Sequence, residues 1–500
     1  MMTSTATVVP FGWSAQSRFN DTVYGKGVGN GLQKTRTSDS AEVAVSGSRT
    51  RGATVRWTLV GLLVIALLGG GGVVAGRTLM SGDGVPEGTP ARPELYTPTP
   101  VVLPVDPNAP APTVSGLAMA LSKVSNARDL GELTGQVSDP LTDKVLWEKD
   151  PGKPLIPASN AKILTATAAL LGMPADRRLT TKVVAGADGQ VILVGAGDPT
   201  LSAQPPGAPT YYTDAPRIDD LVKQIRDAGI KPTSVAVDLS LFTGPSMDRT
   251  WDRRDIVGGD IAPIKSLMVD GGRLEPLEEY SPRTPDPGIV AGEALARALG
   301  VRGDVKQVRA PEGAKVLASV KSAQLATRVN DMMRFSDNVL AETLSVELSL
   351  ATGGPGKLDA GAAAIVKTLT DKGFDTTGVT LRDASGLSYA NRVPARVLDD
   401  LMSGLAGPNH LQLRVLLDGL PIASGTGTLA DRFDPRKTSG AGWVRAKTGT
   451  LTGVSSLTGI VQTVDGRVLT FALMSNGTSP DVARPALDAV VGKIRDCGCR

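Results

Sequence analysis

Between residues 81 and 112 the chain carries nine prolines (GVPEGTPARPELYTPTPVVLPVDPNAPAP), and this stretch constrains everything around it. Proline locks φ and removes a backbone donor, so such a run can be neither helix nor central strand. It reads as an extended, semi-rigid spacer, able at about 3.1 Å per residue to hold a folded body as far as ~100 Å from whatever precedes it. What precedes it is Trp57–Gly76, 20 consecutive residues without a charge, long enough to cross a hydrocarbon core. Arg49, Arg51 and Arg56 lie before that run and only Arg77 follows closely, so the positive-inside rule leaves the N-terminus in the cytoplasm and exports residues 78–500. Residues 1–56 read as a disordered cytoplasmic tail, 57–76 as a single-pass transmembrane anchor and 77–112 as the linker. A signal peptide cleaved near Val73-Val74-Ala75, giving a secreted protein, is the alternative.

Composition narrows the chemistry of the remaining body. The chain holds one histidine and two cysteines, which puts the common zinc sites out of reach. A Ser-His-Asp hydrolase survives only through His410, in the loop-like AGPNHLQ, where a surface polar residue is the plainer reading. The net charge of +3 divides unevenly: residues 1–80 hold 8 Lys/Arg against 3 acids, leaving 45 against 47 for residues 81–500. No basic face for nucleic acid is implied. Cys497 and Cys499 close the chain, and either a strained bridge or two thiols on a frayed tail suits them.

Residues 113–126 read as a helix, followed by strand-like runs at Leu133–Val137 and Lys144–Glu148. At the other end, Val454–Thr463 and Arg467–Ser475 flank an Asp465-Gly466 hairpin signal, and Pro480–Arg495 reads as a closing helix. Helices bracketing strands at both ends suit an α+β fold, an antiparallel sheet covered by helices, built from 113–177 and 316–500. In between, residues 178–315 show strands (KVVAG, QVILVGA, SVAVDL), one helical run (RIDDLVKQIRDAG) and many Gly/Pro turns, as an inserted accessory domain would.

Three short motifs carry the chemistry. The first, Ser159-Asn160-Ala161-Lys162, opens an apolar helix (IPASNAKILTATAALLG) and sets Ser159 and Lys162 one turn apart on one face. Its plain reading is an N-cap serine. Yet a capping box wants Glu or Gln three residues on, and a cation in the first turn is opposed by the helix dipole at a cost of about 0.3–1 kcal/mol. That field, with burial, favours a neutral amine beside the hydroxyl, which is how a serine is activated without histidine. The second motif, Ser336-Asp337-Asn338, offers a hydroxyl and a carboxamide two residues apart; its plain reading is a helix cap by Ser336 or Asp337. The third, Lys447-Thr448-Gly449-Thr450, follows a strand-like GWVRA. There Lys447 supplies a cation for a carboxylate, Gly449 permits close backbone approach and the Thr450 N–H can face an oxyanion, against an edge-strand lysine before a bulge glycine.

In this order the motifs resemble those of penicillin-binding proteins and serine β-lactamases. With the long insert and the stretches VGAGDPTLS and DASGLSYANRVPA, residues 113–495 most resemble the D-alanyl-D-alanine carboxypeptidase/endopeptidase family, peptidase S13, the class C low-molecular-mass penicillin-binding proteins. The resemblance implies a serine β-lactamase/transpeptidase-like fold and an anchored enzyme, with neither metal nor cofactor, acting on D-Ala-D-Ala of peptidoglycan stem peptides. It implies Ser159 as nucleophile, Lys162 as general base and Ser336 as proton relay, with Asn338, Lys447, Thr448, Gly449 and Thr450 binding substrate. β-Lactams are expected to acylate Ser159. Ala384 stands where family members commonly have Gly, and Tyr389 where some have an Arg. The 177-residue gap between Ser159 and Ser336 suggests one accessory lobe instead of two. Two rivals are a β-lactamase, disfavoured because residues 348–446 hold no Glu, and a non-catalytic cell-wall binding or sensor protein.

Overall fold

The computed structural model describes residues 106–498. The residues read as a disordered tail (1–56) and as an anchor (57–76), and nearly all of those read as a linker, lie outside the described residues. Among those described, no helix is long and apolar enough to cross a membrane.

The first strands are β1 (Glu132–Asp139), β2 (Lys144–Lys149) and the two-residue β3 (Pro154–Leu155). The intervening segment supplies β4 (Thr180–Ala185), β5 (Gln190–Val194), β6 (Ser234–Asp238), β7 (Lys306–Gln307) and β8 (Val316–Lys321). The C-terminal part adds β9 (Val393–Pro394), β10 (Val444–Leu451), β11 (Val454–Gln462) and β12 (Val468–Asn476). The strands from the two ends of the chain form one antiparallel sheet in the order β10-β11-β12-β1-β2, so both ends share a single sheet as the sequence pattern requires.

Both faces of this sheet are covered. Leu469, Phe471 and Leu473 pack with Leu133, Val137 and the closing helix Pro480–Asp496, while the alternate residues Ala472 and Met474 pack against the helical side of the molecule. Seven of the eight β1 residues are consequently buried, including Thr134, Gln136 and Ser138. The apolar/polar alternation of β1 marks two different covered faces, not one wet face. The N-terminal helix is shorter than the sequence suggests, Val114–Leu121, because Ser122 ends it and a single 3₁₀ turn takes Val124–Asn126. Just upstream, Arg467 at the β11–β12 hairpin donates to the carbonyls of Pro107 (2.8 Å) and Ala109 (3.3 Å) while pairing with Asp139 at 2.6 Å.

Residues 180–321 build a second sheet, β7-β6-β5-β4-β8, parallel across β5, β6 and β7 and antiparallel elsewhere. Each parallel step needs a crossover. One is the expected helix, Ile218–Asp227; the other is Pro287–Leu299, absent from the sequence reading although Pro287 at its start and Gly300 at φ +76 are ordinary start and stop signals. Cys497 is disulfide-bonded and 3% exposed, which decides between the two states left open for it.

Candidate active site

The turn at Ser159 is built to be rigid. Pro157 leads into Ala158, a fully buried residue at φ +46, and a 3₁₀ turn over Ala158–Asn160 runs straight into the helix Ala161–Gly172. A left-handed, non-glycine residue is costly and persists only where its surroundings over-determine it. Here they do. Gly386, at φ +86, lies so close that a Cβ there would stand 1.9 Å from the Ala158 carbonyl oxygen. Ser456 donates to the Pro157 carbonyl at 2.6 Å, and Asn160 donates to Thr458 at 2.8 Å, tying the turn to β11.

Lys162 follows one turn later, completely buried, as the first-turn position requires of a helix end pressed into the core. Its Nζ reaches Ser159 Oγ at 3.0 Å, Asn338 Oδ1 at 2.6 Å and the Ser385 carbonyl at 2.7 Å. Burial pushes its pKa down to about 8, against the pull of Asp383, Glu342, Asp337 and Asp260. The shift is toward the neutral form, as the first-turn position and burial predict, although at about 8 the amine still carries its proton at neutral pH.

The second motif sits where two helices abut. Ser336 ends Leu325–Phe335 in the left-handed conformation, φ +56, and Asn338 begins Asn338–Ala351. Asp337 between them accepts from the Leu340 N–H at 2.8 Å, so the plain helix-cap reading holds for Asp337 at the same time as Ser336 and Asn338 turn to the site. Arg273 of the intervening segment pairs with Asp337 at 2.9 Å and also donates to the Tyr212 hydroxyl, itself 2.9 Å from Asp337. Burial opposes the charge on Asp337, but Arg273 and Arg283 outweigh it and hold the carboxyl at about 2. Asn338 Nδ2 donates to the Asp260 carbonyl at 2.9 Å, so the same segment also orients the amide that meets Lys162.

The third motif lies inside β10, which is an edge strand with unbroken register to β11; there is no bulge at Gly449. A Cβ on Gly449 would fall 2.1 Å from Ser456 Oγ and 2.7 Å from the Pro157 carbonyl, so the glycine is what lets β10 close on the Ser159 turn. Lys447 does not face the cleft as a free cation. It is fully buried, with Nζ 2.9 Å from Ser336 Oγ and 2.8 Å from the Thr448 carbonyl, and burial together with Lys162 drives its pKa well down. Thr448 shares a hydrogen bond with Thr428 at 2.7 Å, and Thr450 accepts from Arg484 at 3.0 Å.

All eight sequence-selected residues therefore meet at one place. Ser159, Ser336, Asn338, Thr448 and Thr450 line a cleft of about 1170 Å³, and Lys162, Gly449 and Lys447 lie immediately behind it. His410 packs instead 5.3 Å from the Phe374 ring, and the cleft lining does not include it. Tyr389, 47% exposed, stands on the cleft wall, and Ala384 is buried with its N–H on Glu342.

Sequence reasoning found Asn338 but missed Glu342 and Asp383, which order the backbone around the Ser385 carbonyl that Lys162 meets. Glu342 Oε1 accepts from the N–H groups of Ala384 and Ser385 at 3.0 and 2.8 Å, fixing the backbone that leads into the Ser385 carbonyl that takes Lys162. Burial, reinforced by Asp383, pushes Glu342 up to about 8. Asp383 in turn collects Trp251 Nε1, Asn391 and the N–H groups of Gly386 and Ser388. The signal was an acid in VLAETL, in the middle of a helix whose residues Val339–Ser349 are buried throughout.

A helix-covered antiparallel sheet with a cleft-facing serine beside a buried lysine at its edge defines a hydrolase of the serine β-lactamase/transpeptidase-like class. Residues 117–282 and 278–496 match the D-Ala-D-Ala carboxypeptidase 3 (S13) family, and the chain belongs to it. A carboxypeptidase of Mycobacterium tuberculosis is 48% identical over 404 residues, 80% of this chain and 87% of that protein. Carboxypeptidase DacB of Mycolicibacterium smegmatis is 45% identical over 448 residues, 88% of this chain and 97% of that one. Among solved structures, penicillin binding protein 4 (dacB) of Haemophilus influenzae shares the fold with a TM-score of 0.63 at 20% identity, over 77% of this chain and 99% of that chain.

Proposed function

We propose that the protein is a serine DD-carboxypeptidase that cleaves the terminal D-Ala-D-Ala bond of peptidoglycan stem peptides through an acyl-enzyme on Ser159. The observation that carries this reading is the set of three contacts on Lys162 Nζ. A neutral amine has two N–H donors and one lone pair. The carbonyl oxygens of Asn338 and Ser385 take the two donors, which leaves the lone pair directed at the Ser159 hydroxyl.

Lys162 removes the Ser159 proton as Oγ attacks the scissile carbonyl. The N–H groups of Ser159 and Thr450 form the oxyanion site, since β10 is an edge strand with one side open to the cleft. Ser336, hydrogen-bonded to Lys447, passes a proton to the leaving amine. Water then releases the acyl group and frees Ser159. β-Lactams acylate the same oxygen, and cross-linked stem peptides are a second substrate class. Residues 178–315 act as one accessory lobe that walls the cleft, contributing Trp251, Asp252, Asp255, Asp260 and Tyr280. The run Trp57–Gly76 anchors the chain, with the catalytic body working outside the cytoplasm.

Incubating the purified protein and its Ser159→Ala variant with labelled penicillin and with a D-Ala-D-Ala stem peptide tests the reading. Wild type becomes labelled and releases D-alanine, and the variant does neither. Rapid turnover of the drug favours a β-lactamase instead, and a wild type that neither labels nor releases D-alanine sinks the proposal.

A further inference from the structure

Two residues one turn apart on the helix Asn338–Ala351 converge on Lys162. Asn338 Oδ1 takes Nζ directly, at 2.6 Å. Glu342, four residues on, acts through the turn at 383–386, which it shares with the helix Ala161–Gly172. From one side Glu342 Oε1 accepts from the N–H groups of Ala384 and Ser385. From the other, Thr165 donates to the Ala384 carbonyl and Lys162 to the Ser385 carbonyl, each at 2.7 Å. One carboxyl group therefore fixes the acceptor that aims the Lys162 amine.

Holding two N–H groups does not by itself require an acid, since an amide oxygen has two lone pairs for the same task. Glu342 is fully buried, and its second oxygen, Oε2, makes no hydrogen bond with any described residue. Ionising a buried carboxyl with one oxygen unmet is costly. Burial, with Asp383 beside it, accordingly keeps the proton on Glu342 up to about pH 8, the range in which Lys162 loses its own. Four carboxyls act on the Lys162 charge, each favouring the ammonium when ionised: Asp383, Glu342, Asp337 and Asp260. Lys447 of β10 is a cation within reach of the same amine. Asp383 is held by four donors, Asp337 is paired with Arg273, and Asp260 lines the open cleft. Glu342 is the buried member that changes charge where Lys162 does, and interacting groups with overlapping titrations behave as a pair.

We propose that Glu342 is a positioning residue with two separable duties: its Oε1 sets the Ser385 carbonyl against Lys162, and the charge its carboxyl acquires strengthens the hold of Lys162 on its proton. This inference rests on the acyl-enzyme reading with Lys162 as base, and extends that machinery to a group that never meets the substrate.

The test follows the pH dependence of penicillin acylation in the full protein, in Glu342→Gln and in Glu342→Asp. Gln keeps an oxygen for the two N–H groups and loses the charge. Its rising limb should move down by about one pH unit, so that below the limb it acylates up to roughly tenfold faster than wild type. Asp keeps the charge but is one methylene short of the turn, so its limb should stay at the wild-type pH while its plateau rate falls. Glu342→Ala, which removes the charge without bringing an amide donor into the core, reads the same limb if Gln does not fold. A merely structural Glu342 would alter plateau rates and leave the limb in place. Wild-type limbs in Gln and Ala, or no labelling at any pH in either, therefore overturn the assignment. A wild type acylated at no pH defeats the acyl-enzyme reading itself, a result distinct from a limb that fails to move.

Discussion

Arg273 Nη2 lies 2.9 Å from Asp337 Oδ2, with the two side chains only 1% and 0% accessible, and this one ion pair joins the inserted segment to the turn that carries Ser336 and Asn338. Removing one partner of such a pair strands a buried charge, at a typical cost of about 3–5 kcal/mol. We expect Arg273→Ala to lower unfolding free energy in denaturant by that order and to slow acylation as the Ser336–Asn338 turn loosens. Arg273→Lys should recover little, since a point charge cannot serve both Asp337 and the Tyr212 hydroxyl. Full stability in Arg273→Ala would show the clamp to be dispensable.

The amine of Lys162 sets the pH dependence. Its pKa is brought down to about 8, chiefly by burial, so it carries a proton below that pH and is free as a base above it. Acylation of Ser159 should therefore rise with pH through a single ionisation near 8 and level off beyond. Lys162→Ala should fold and fail to acylate. Stopped-flow labelling across pH 6–10 reads the limb; a flat profile, or acylation retained in folded Lys162→Ala, removes lysine from the role.

Gly449 is a position where one methyl group should matter. A Cβ there meets Ser456 Oγ at 2.1 Å and the Pro157 carbonyl at 2.7 Å, both atoms held in a mutual hydrogen bond. Gly449→Ala should cost about 1–3 kcal/mol by overpacking and push β10 away from Ser159, with acylation falling more than stability. The comparison of melting temperature with labelling rate checks it, and unchanged labelling would mean that β10 need not approach so closely.

Asp399, fully buried under the sheet, is pushed up to about 7 by burial despite hydrogen bonds from Ser138 and Gln136. A carboxyl whose folded pKa is raised contributes stability that is full below its unfolded value near 3.9 and is lost as pH climbs through about 7. Asp399→Asn should flatten the decline in melting temperature between about pH 4 and 7. An equally steep decline in the variant would assign the pH dependence elsewhere.

The three motifs were legible because each is local: three or four adjacent residues whose spacing on a helix or strand already determines which side chains can meet. Both ends of the main sheet were legible for the same reason, through hairpin and helix signals. The rest of the site depends on contacts across long stretches of chain. Glu342 holds the Ser385 N–H and Lys162 reaches the carbonyl of the same residue from 223 residues away, and nothing in either local sequence announces the meeting. Arg273, Tyr212 and Asp260 lie in loops of the inserted segment, where turn residues predict irregular backbone but not its destination. The role of Lys447 was legible only in type: its place in the strand was clear, its complete burial was not.

Arg467 holds the carbonyls of Pro107 and Ala109 with one side of its guanidinium and Asp139 of β1 with the other. Tension arriving along the chain from upstream of residue 107 is therefore handed first to the hairpin and then to an interior strand of the five-stranded sheet. The short helix Val114–Leu121 is bypassed by this load path, and the Ser159 turn, tied to β11 and β10, is fastened to the same sheet that bears the pull.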